Sequence, residues 1–140
     1  MSSYISLPMF AGSLGQRVRL EAARCGNCGT LVYPQRPQCP ACGSTDFATE
    51  PLSGEGSLYT FTVIARGGAP AEFDDQQTMT GTIVVGVVEL REGPRIIAQI
   101  ADADPESLEI GTPLRAVLRR LYDQEGVVRY GTKFTPVAPA

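Results

Sequence analysis

Cys25-Gly-Asn-Cys28-Gly29 and Cys39-Pro-Ala-Cys42-Gly43 are two copies of one motif, a pair of cysteines two residues apart followed by a glycine. The spacing lets both sulfurs of a pair reach one ion, and the glycine tolerates the left-handed backbone that turns amide groups towards the sulfurs. Two such motifs complete a tetrahedron of thiolates and leave no open coordination position. The sequence therefore predicts a closed, structural metal site, without a water for catalysis. Its predicted ligands are Cys25, Cys28, Cys39 and Cys42.

Zinc is the metal that this motif favours, with a rubredoxin-like iron as the alternative, because soft thiolates accept both ions. A redox or disulfide arrangement is a further alternative, but cysteines in a reducing compartment are more often metal ligands. We also predict a folding role for the ion. The segment between the outer cysteines is too short and polar to bury the apolar area that would offset its ordering entropy. A structural zinc supplies an apparent ~10–16 kcal/mol in isolated fingers.

The composition limits the chemistry that this chain can perform by itself. Its 140 residues, 43% hydrophobic and 19% charged, fit one globular domain or a small domain with a metal-stapled appendage. The sequence contains no histidine, and all four cysteines belong to the metal motif. Histidine general-base chemistry, serine–histidine–aspartate triads and a free cysteine nucleophile are therefore excluded within this chain.

Charge and hydropathy limit the classes of partner that we expect this protein to bind and the cell compartment in which we expect it. The net charge of −3 argues against nucleic acid, because its binders collect phosphates on a basic face. Lys133 is the only lysine in the sequence, and the other basic residues are arginines. No stretch approaches the ~18 consecutive apolar residues of a membrane-spanning helix, and the N-terminus lacks the order of a secretory signal. We therefore expect a cytoplasmic protein with no membrane contact.

The sequence after the cysteines is rich in β-branched and aromatic residues, in patterns typical of strands. The second predicted strand is apolar almost throughout, which indicates burial on both faces, and Gly86 could mark a bulge or bend. A short helix or helical turn is predicted over Asp102–Glu109, with Asp104 as its N-cap. Five strands with one short helix between the third and fourth are typical of an OB-fold barrel. The predicted strands are Ser57–Ile64, Thr80–Leu90, Arg95–Ala101, Leu114–Tyr122 and Val127–Phe134.

Apolar residues between Leu7 and Leu14 could form a short amphipathic helix before a half-exposed strand over Arg17–Arg24. The predicted fold class is mainly β: an N-terminal helix and strand, a rubredoxin-like zinc ribbon, then a five-stranded OB-fold barrel with one short helix. We place the domains at residues 1-24 (N-terminal arm), 25-50 (zinc ribbon) and 51-140 (OB-fold).

Other patterns carry weaker signals. The glycines at 54, 56, 67 and 68 lack the third glycine and helix of a dinucleotide site and are interpreted as turn residues. The acid pairs Asp74-Asp75 and Asp102 with Asp104 are interpreted as exposed loop acids or caps. Arg115, Arg119 and Arg120 could meet a phosphate, but a solvated strand face is favoured. Aromatic residues could stack bases on an OB surface, but a core role is favoured for Tyr59, Phe61, Phe73, Tyr122, Tyr130 and Phe134.

The order of motifs resembles a family of small acyl-CoA-associated proteins of bacteria and archaea, which join a zinc ribbon to an OB-fold. The resemblance covers nearly the whole chain. It rests on the cysteine motifs with Arg24 before the first and Tyr33-Pro34 between them, on Gly56-Ser-Leu-Tyr59 and Val87-Val-Glu89, and on Ile110-Gly111-Thr-Pro and Phe134-Thr-Pro136.

The resemblance implies a non-catalytic accessory subunit, whose N-terminal helix and ribbon arm dock on a thiolase-fold partner. That partner would supply the cysteine and histidines that this chain lacks, and acyl-CoA would be bound through the complex. Known hosts of the family act in aromatic degradation, in the making of acylated polyketides and in steroid side-chain breakdown. Two alternatives stay open. One is a free-standing acyl-CoA binder whose OB loops and arginines hold the CoA phosphates, and the other is a ribbon-plus-OB module for single-stranded nucleic acid.

Overall fold

The computed structural model describes residues 18–124 and 126–137, which form two antiparallel β-sheets and one α-helix. A single 3-10 turn, Ala71–Phe73, precedes the helix. In chain order the elements are β1 (Glu21–Cys25), β2 (Leu31–Val32), β3 (Phe47–Pro51), β4 (Glu55–Ile64), α1 (Asp74–Thr80), β5 (Ile83–Leu90), β6 (Arg95–Gln99), β7 (Pro113–Gln124) and β8 (Val127–Pro136). Among the described residues, no helix has the length and apolar character needed to cross a membrane.

The first sheet is the ribbon, with strand order β2-β1-β3. Its central strand β1 pairs with β3 from Glu21 opposite Pro51 to Cys25 opposite Phe47. Ala22 and Cys25 are buried, while Arg24 is exposed. The strand predicted over Arg17–Arg24 is therefore confirmed from Glu21 onwards, whereas residues 18–20 are not part of a strand. The helix predicted between residues 7 and 14 lies outside the described residues.

The second sheet has strand order β6-β5-β4-β7-β8 and curls until its two outer strands meet. Ile100, just after β6, forms a parallel bridge with Phe134 on β8. The amide of Ala101 donates to the carbonyl of Phe134 at 2.7 Å. This closure gives the five-stranded, nearly closed barrel of an OB-fold, and the fold class predicted from the sequence is confirmed.

The short helix lies elsewhere than predicted. Over Asp102–Glu109 the chain forms only a turn, in which the amides of Glu106 and Ser107 donate to Asp104 at 3.1 Å. The helix is α1, which begins in a stretch that the sequence predicts as a loop (residues 65–77) and ends at Thr80, so that the strand predicted from Thr80 begins only at Ile83. Its buried Gln77 explains the difference, because the side chain donates to the carbonyl of Ala65 at 2.8 Å and so fastens α1 to the preceding chain. That contact depends on tertiary structure.

Gly86 is a position of close packing and not the predicted bulge. The bulge lies on the neighbouring strand β4, at Tyr59, where the register shifts. A Cβ added at Gly86 would lie 2.9 Å from Leu58 Cδ1 and 3.1 Å from Ile100 Cδ1. None of the β5 residues is exposed, which confirms the prediction that this strand is covered on both faces.

One hydrophobic core serves the barrel and the base of the ribbon. Leu20 and Ala22 from the ribbon side pack with buried barrel residues, and the amide of Leu52 donates to the carbonyl of Leu20 at 3.0 Å. The barrel contributes Leu58, Val84, Val88, Leu90, Ile96, Ile100, Leu114 and Phe134. The base of the ribbon and the barrel therefore share one core. The domain boundaries predicted at residues 24/25 and 50/51 stay a prediction.

Candidate metal centre

The four cysteines converge at the tip of the ribbon. All four sulfurs lie within 4.8 Å of one another. The Sγ atoms of Cys25 and Cys42 are 3.5 Å apart, and those of Cys28 and Cys39 are also 3.5 Å apart. A tetrahedral ion with metal–sulfur bonds of about 2.3 Å needs sulfurs separated by about 3.8 Å. The donor set and its spacing therefore fit one tetrahedral metal ion.

Both cysteine pairs sit on the same kind of turn. The amide of Gly29 donates to the carbonyl of Cys25 at 3.0 Å, and the amide of Gly43 donates to the carbonyl of Cys39 at 2.8 Å. The two glycines have φ angles of 76° and 77°. A Cβ at either one would meet no atom within 4 Å, so the backbone angle and not the available space calls for glycine. The left-handed glycines predicted from the motif are confirmed.

Further backbone hydrogen bonds tie each turn to the chain that follows it. The amide of Cys25 donates to Thr30 at 2.9 Å, and the amide of Cys39 donates to Ser44 at 2.8 Å. A third bond, from the amide of Gly26 to the carbonyl of Asp46 at 2.8 Å, joins the first turn to the strand leaving the second. These contacts bring two pairs that are distant in sequence to one point.

The groups around the sulfurs favour thiolates at two of the positions. The hydroxyl of Thr30, 3.0 Å from Cys28 Sγ, and the Thr30 amide lower the pKa of Cys28 to about 6. The amide of Cys28 lowers the pKa of Cys25. Asn27 and the Ser44 amide act in the same direction on Cys42, but burial and the neighbouring sulfurs outweigh them and raise its pKa. A bound cation would favour the deprotonated form of all four thiols.

Arg24 is a supporting residue whose role the motif spacing does not reveal. Its guanidinium donates to the Glu50 carboxylate at 2.7 Å and to the Gly29 carbonyl at 2.8 Å. It thereby joins the first cysteine turn to β3. The sequence gives one sign of this role, because the arginine directly before Cys25 is among the residues on which the resemblance to the family rests.

The other candidates lie away from this cluster. The interpretation of the arginines as a solvated face is confirmed, since all three are exposed. Arg119 donates to Asp102 at 2.8 Å, and Arg120 lies 3.7 Å from Asp123. Asp104 caps its turn, and the Asp74-Asp75 pair is exposed in the first turn of α1.

The aromatic residues predicted to be core divide into two groups. Phe134 is fully buried, Phe61 packs against the core, and Phe73 and Tyr122 contact each other edge to face at 5.3 Å. The prediction is wrong for Tyr59 and Tyr130, which are 48% and 58% exposed. Tyr59 is the bulged residue of β4, and its ring is exposed. The guanidinium of Arg95 lies over this ring, with its Cζ atom 3.9 Å from the ring centre.

Family models match both parts of the chain. A model described as ChsH2, rubredoxin-like zinc ribbon domain, matches residues 14–48, and one described as ChsH2, C-terminal OB-fold domain, matches residues 49–119.

Several characterised proteins are similar to this chain. A DUF35 domain-containing scaffold protein of Methanocaldococcus jannaschii is 41% identical, over 87% of this chain and 84% of its own length. The benzoylsuccinyl-CoA thiolase subunit BbsA of Thauera aromatica is 32% identical, over 70% of this chain and 67% of its own. A chain of the solved structure Ltp2-ChsH2(DUF35) aldolase superposes with a TM-score of 0.70 at 30% identity, covering 96% of this chain and 98% of that chain. The protein therefore belongs to the ChsH2/DUF35 family of scaffold proteins, which combine a zinc ribbon with an OB-fold.

Proposed function

We propose that this protein is a non-catalytic accessory subunit of a thiolase-like acyl-CoA enzyme complex, in which its ribbon arm organises the partner. The observation that carries the proposal is the match over 96% of this chain, at 30% identity, to the DUF35 chain of the Ltp2-ChsH2(DUF35) aldolase. The 41% identity to a scaffold protein and the match to BbsA, a thiolase subunit, support the same role.

The chemistry of the chain also supports this role. Thiolase-type acyl transfer needs a nucleophile and a base, but the sequence has no histidine and places all four of its cysteines in one cluster. A cysteine that holds a metal ion in a closed site is not free to attack a thioester. The reacting groups would therefore come from the partner.

We further propose that Cys25, Cys28, Cys39 and Cys42 hold one structural zinc ion, with iron as the alternative. The four-sulfur geometry fits either metal, and the ribbon type favours zinc. The ion would fix the shape of the arm and would take no part in the acyl transfer. Thiolate ligands suit a reducing compartment, which agrees with the expected cytoplasmic location.

The two alternative functions receive less support from the charge arrangement. Six arginines in the described part of the chain already form ion pairs with acids. A groove that collects nucleic-acid or CoA phosphates needs cations free to exchange counterions for phosphate. A free-standing acyl-CoA binder and a nucleic-acid module are therefore ranked below the subunit role.

Co-expression with a thiolase-like protein from the same genome tests the proposal. We expect the two chains to elute together, this chain alone to show no thiolase or aldolase activity, and the pair to exceed the partner alone. A Cys28→Ser/Cys42→Ser double variant should lose the complex, whereas Thr45→Ala, an exposed change in the same ribbon, should retain it. Full activity of the partner without this chain, together with separate elution, would contradict the subunit role.

Binding experiments on the isolated chain separate the alternatives. Calorimetry with acyl-CoA esters should show no tight binding if CoA is bound only through the complex. Single-stranded DNA should likewise show no affinity that falls steeply with salt. Tight CoA binding by the chain alone would favour the free-standing binder instead.

A further inference from the structure

A cavity of about 710 Å³ lies on the barrel, and its described lining contains no residue of the ribbon. Its walls come from α1, from the chain that follows β6, and from β7 and β8. The cavity is open to solvent on one side and belongs to neither the ribbon nor the predicted metal site. Nothing in the proposed subunit role accounts for it.

Lys133, the only lysine of the chain, lines this cavity. It lies on β8 opposite Val117 of β7, and only 7% of the residue is exposed. Within residues 18–124 and 126–137, its ammonium makes no hydrogen bond or ion pair. The carboxylate of Asp102 accepts a hydrogen bond from Arg119 at 2.8 Å and forms no ion pair with Lys133.

The Lys133 ammonium is not itself fully buried, but it has lost part of its hydration without gaining an ion-pair partner, and this loss is unfavourable. Burial and the charged groups around Lys133 also act on its pKa. Burial, and then the positive charge of Arg119, lower the pKa of Lys133, while Asp102 acts in the opposite direction. An anion entering the cavity would supply the missing partner.

The charges around the cavity limit which anion fits. Among the described residues of the lining, three cations, Arg119, Arg120 and Lys133, stand against four carboxylates, which gives a net charge of −1. The carboxylates are those of Glu72, Asp75, Asp102 and Asp123. A polyanion such as a phosphate ester would meet stronger net repulsion than a monoanion, which needs only the one counter-charge of Lys133.

The rest of the lining is apolar enough to hold a hydrocarbon body. Val84, Ile100, Ala103 and Leu121 contribute to the walls, and Met79, 85% exposed, stands at the cavity as well. Small-molecule sites commonly combine such apolar walls with a few polar groups that fix the orientation of the ligand. We propose that the cavity binds a monocarboxylate with a short apolar body, whose carboxylate pairs with Lys133 Nζ. This site would act independently of the proposed subunit role.

The lone lysine makes a direct test possible. When the full chain is produced with lysine labelled with ¹⁵N at Nζ, its nitrogen NMR spectrum contains one lysine side-chain signal, that of Lys133. Addition of butyrate at neutral pH should shift this signal in a saturable manner, with a dissociation constant below about 1 mM. Butyramide, which has the same shape without the charge, should bind at least about tenfold more weakly. Inorganic phosphate should leave the signal unchanged.

Variants provide the second measurement, by calorimetry with butyrate. Lys133→Met should abolish binding, and Lys133→Arg, which keeps the charge, should retain part of it. Arg66→Met removes one positive charge from an exposed loop outside the cavity lining and should bind as the native chain does. A Lys133 signal that does not respond to butyrate would overturn the proposal. So would equal binding by Lys133→Met, or a stronger response to phosphate than to butyrate.

Discussion

Removal of the metal should unfold the ribbon tip while the barrel stays folded. Between Gly26 and Asp46 the buried residues are Val32 and Cys39 alone among those the structure describes. Full burial of Val32 contributes about 1.5–3 kcal/mol, and Leu31 and Tyr33, which pack partly buried against the core, each add less than a fully buried side chain would. A structural zinc supplies an apparent ~10–16 kcal/mol. Most of the stabilisation that orders the tip would therefore leave with the ion.

The barrel should respond differently, because its core does not depend on the metal. Leu20 and Ala22 anchor the base of the ribbon among barrel residues, and the closing bond from Ala101 to Phe134 lies on the barrel itself. We therefore expect two levels of protection after metal removal, a low level in the tip and a nearly native level in the barrel.

Hydrogen exchange followed by mass spectrometry, with and without a chelator, measures both levels. The amides of Cys25, Gly26 and Cys39, which are hydrogen-bonded within the tip, should lose their protection. The amides of Leu58 and Ala101, hydrogen-bonded in the barrel, should keep theirs. Addition of zinc should restore the tip. Unchanged protection of the tip without metal would refute the folding role of the ion, and simultaneous loss of both levels would refute the independence of the barrel.

Three further predictions concern the barrel. Gly86→Ala should lower the free energy of unfolding by about 1–3 kcal/mol in a denaturant titration, because its Cβ would overlap Leu58 and displace it; an unchanged midpoint would show that the neighbours yield freely. Phe134→Ala, at a fully buried position, should cost about 3–5 kcal/mol, whereas Tyr130→Ala on the same strand should cost far less; equal losses would contradict the core assignment. Lys133→Met should raise stability by about 1 kcal/mol, because it removes a partly desolvated ammonium that has no ion-pair partner. Since folding lowers the pKa of Lys133 from 10.5, the unfolded chain binds more protons there, and native stability should gain from this group as the pH rises towards 10.5. Thermal melts between neutral and alkaline pH should show that gain in the native chain and not in the variant.

The metal cluster and the strand order could be predicted from the sequence because both depend on short-range patterns. The cysteine spacing and the glycines after each pair define the turns almost completely, and the structure places Gly29 and Gly43 in the left-handed region as expected. Alternating apolar residues likewise predict the five strands of the barrel. Their observed ends differ from the predicted ones by a few residues, as between Val127–Phe134 and Val127–Pro136.

The features that could not be predicted depend on contacts between distant segments. The position of α1 is set by Gln77, whose side chain is buried against the preceding loop. Because this side chain is polar, it does not contribute to the hydrophobic periodicity by which a helix is predicted from sequence. The low exposure of Lys133 depends on the chain after β6, where Ile100 pairs with the neighbouring Phe134. A lone lysine on a strand gives no sign of this in the sequence. The role of Arg24 depends in the same way on Glu50, which is 26 residues distant.

The shared core at the base of the ribbon has a consequence for assembly. Both chain segments that enter the ribbon are fixed at the barrel, the first through Leu20 and Ala22 and the second through Leu52. A projection held at two points cannot swivel as a tethered module does, so the ribbon tip keeps a set distance and direction from the barrel. A partner that contacts both the ribbon tip and the barrel would meet two surfaces in a fixed relative position. This chain would therefore lose little orientational entropy when the complex forms.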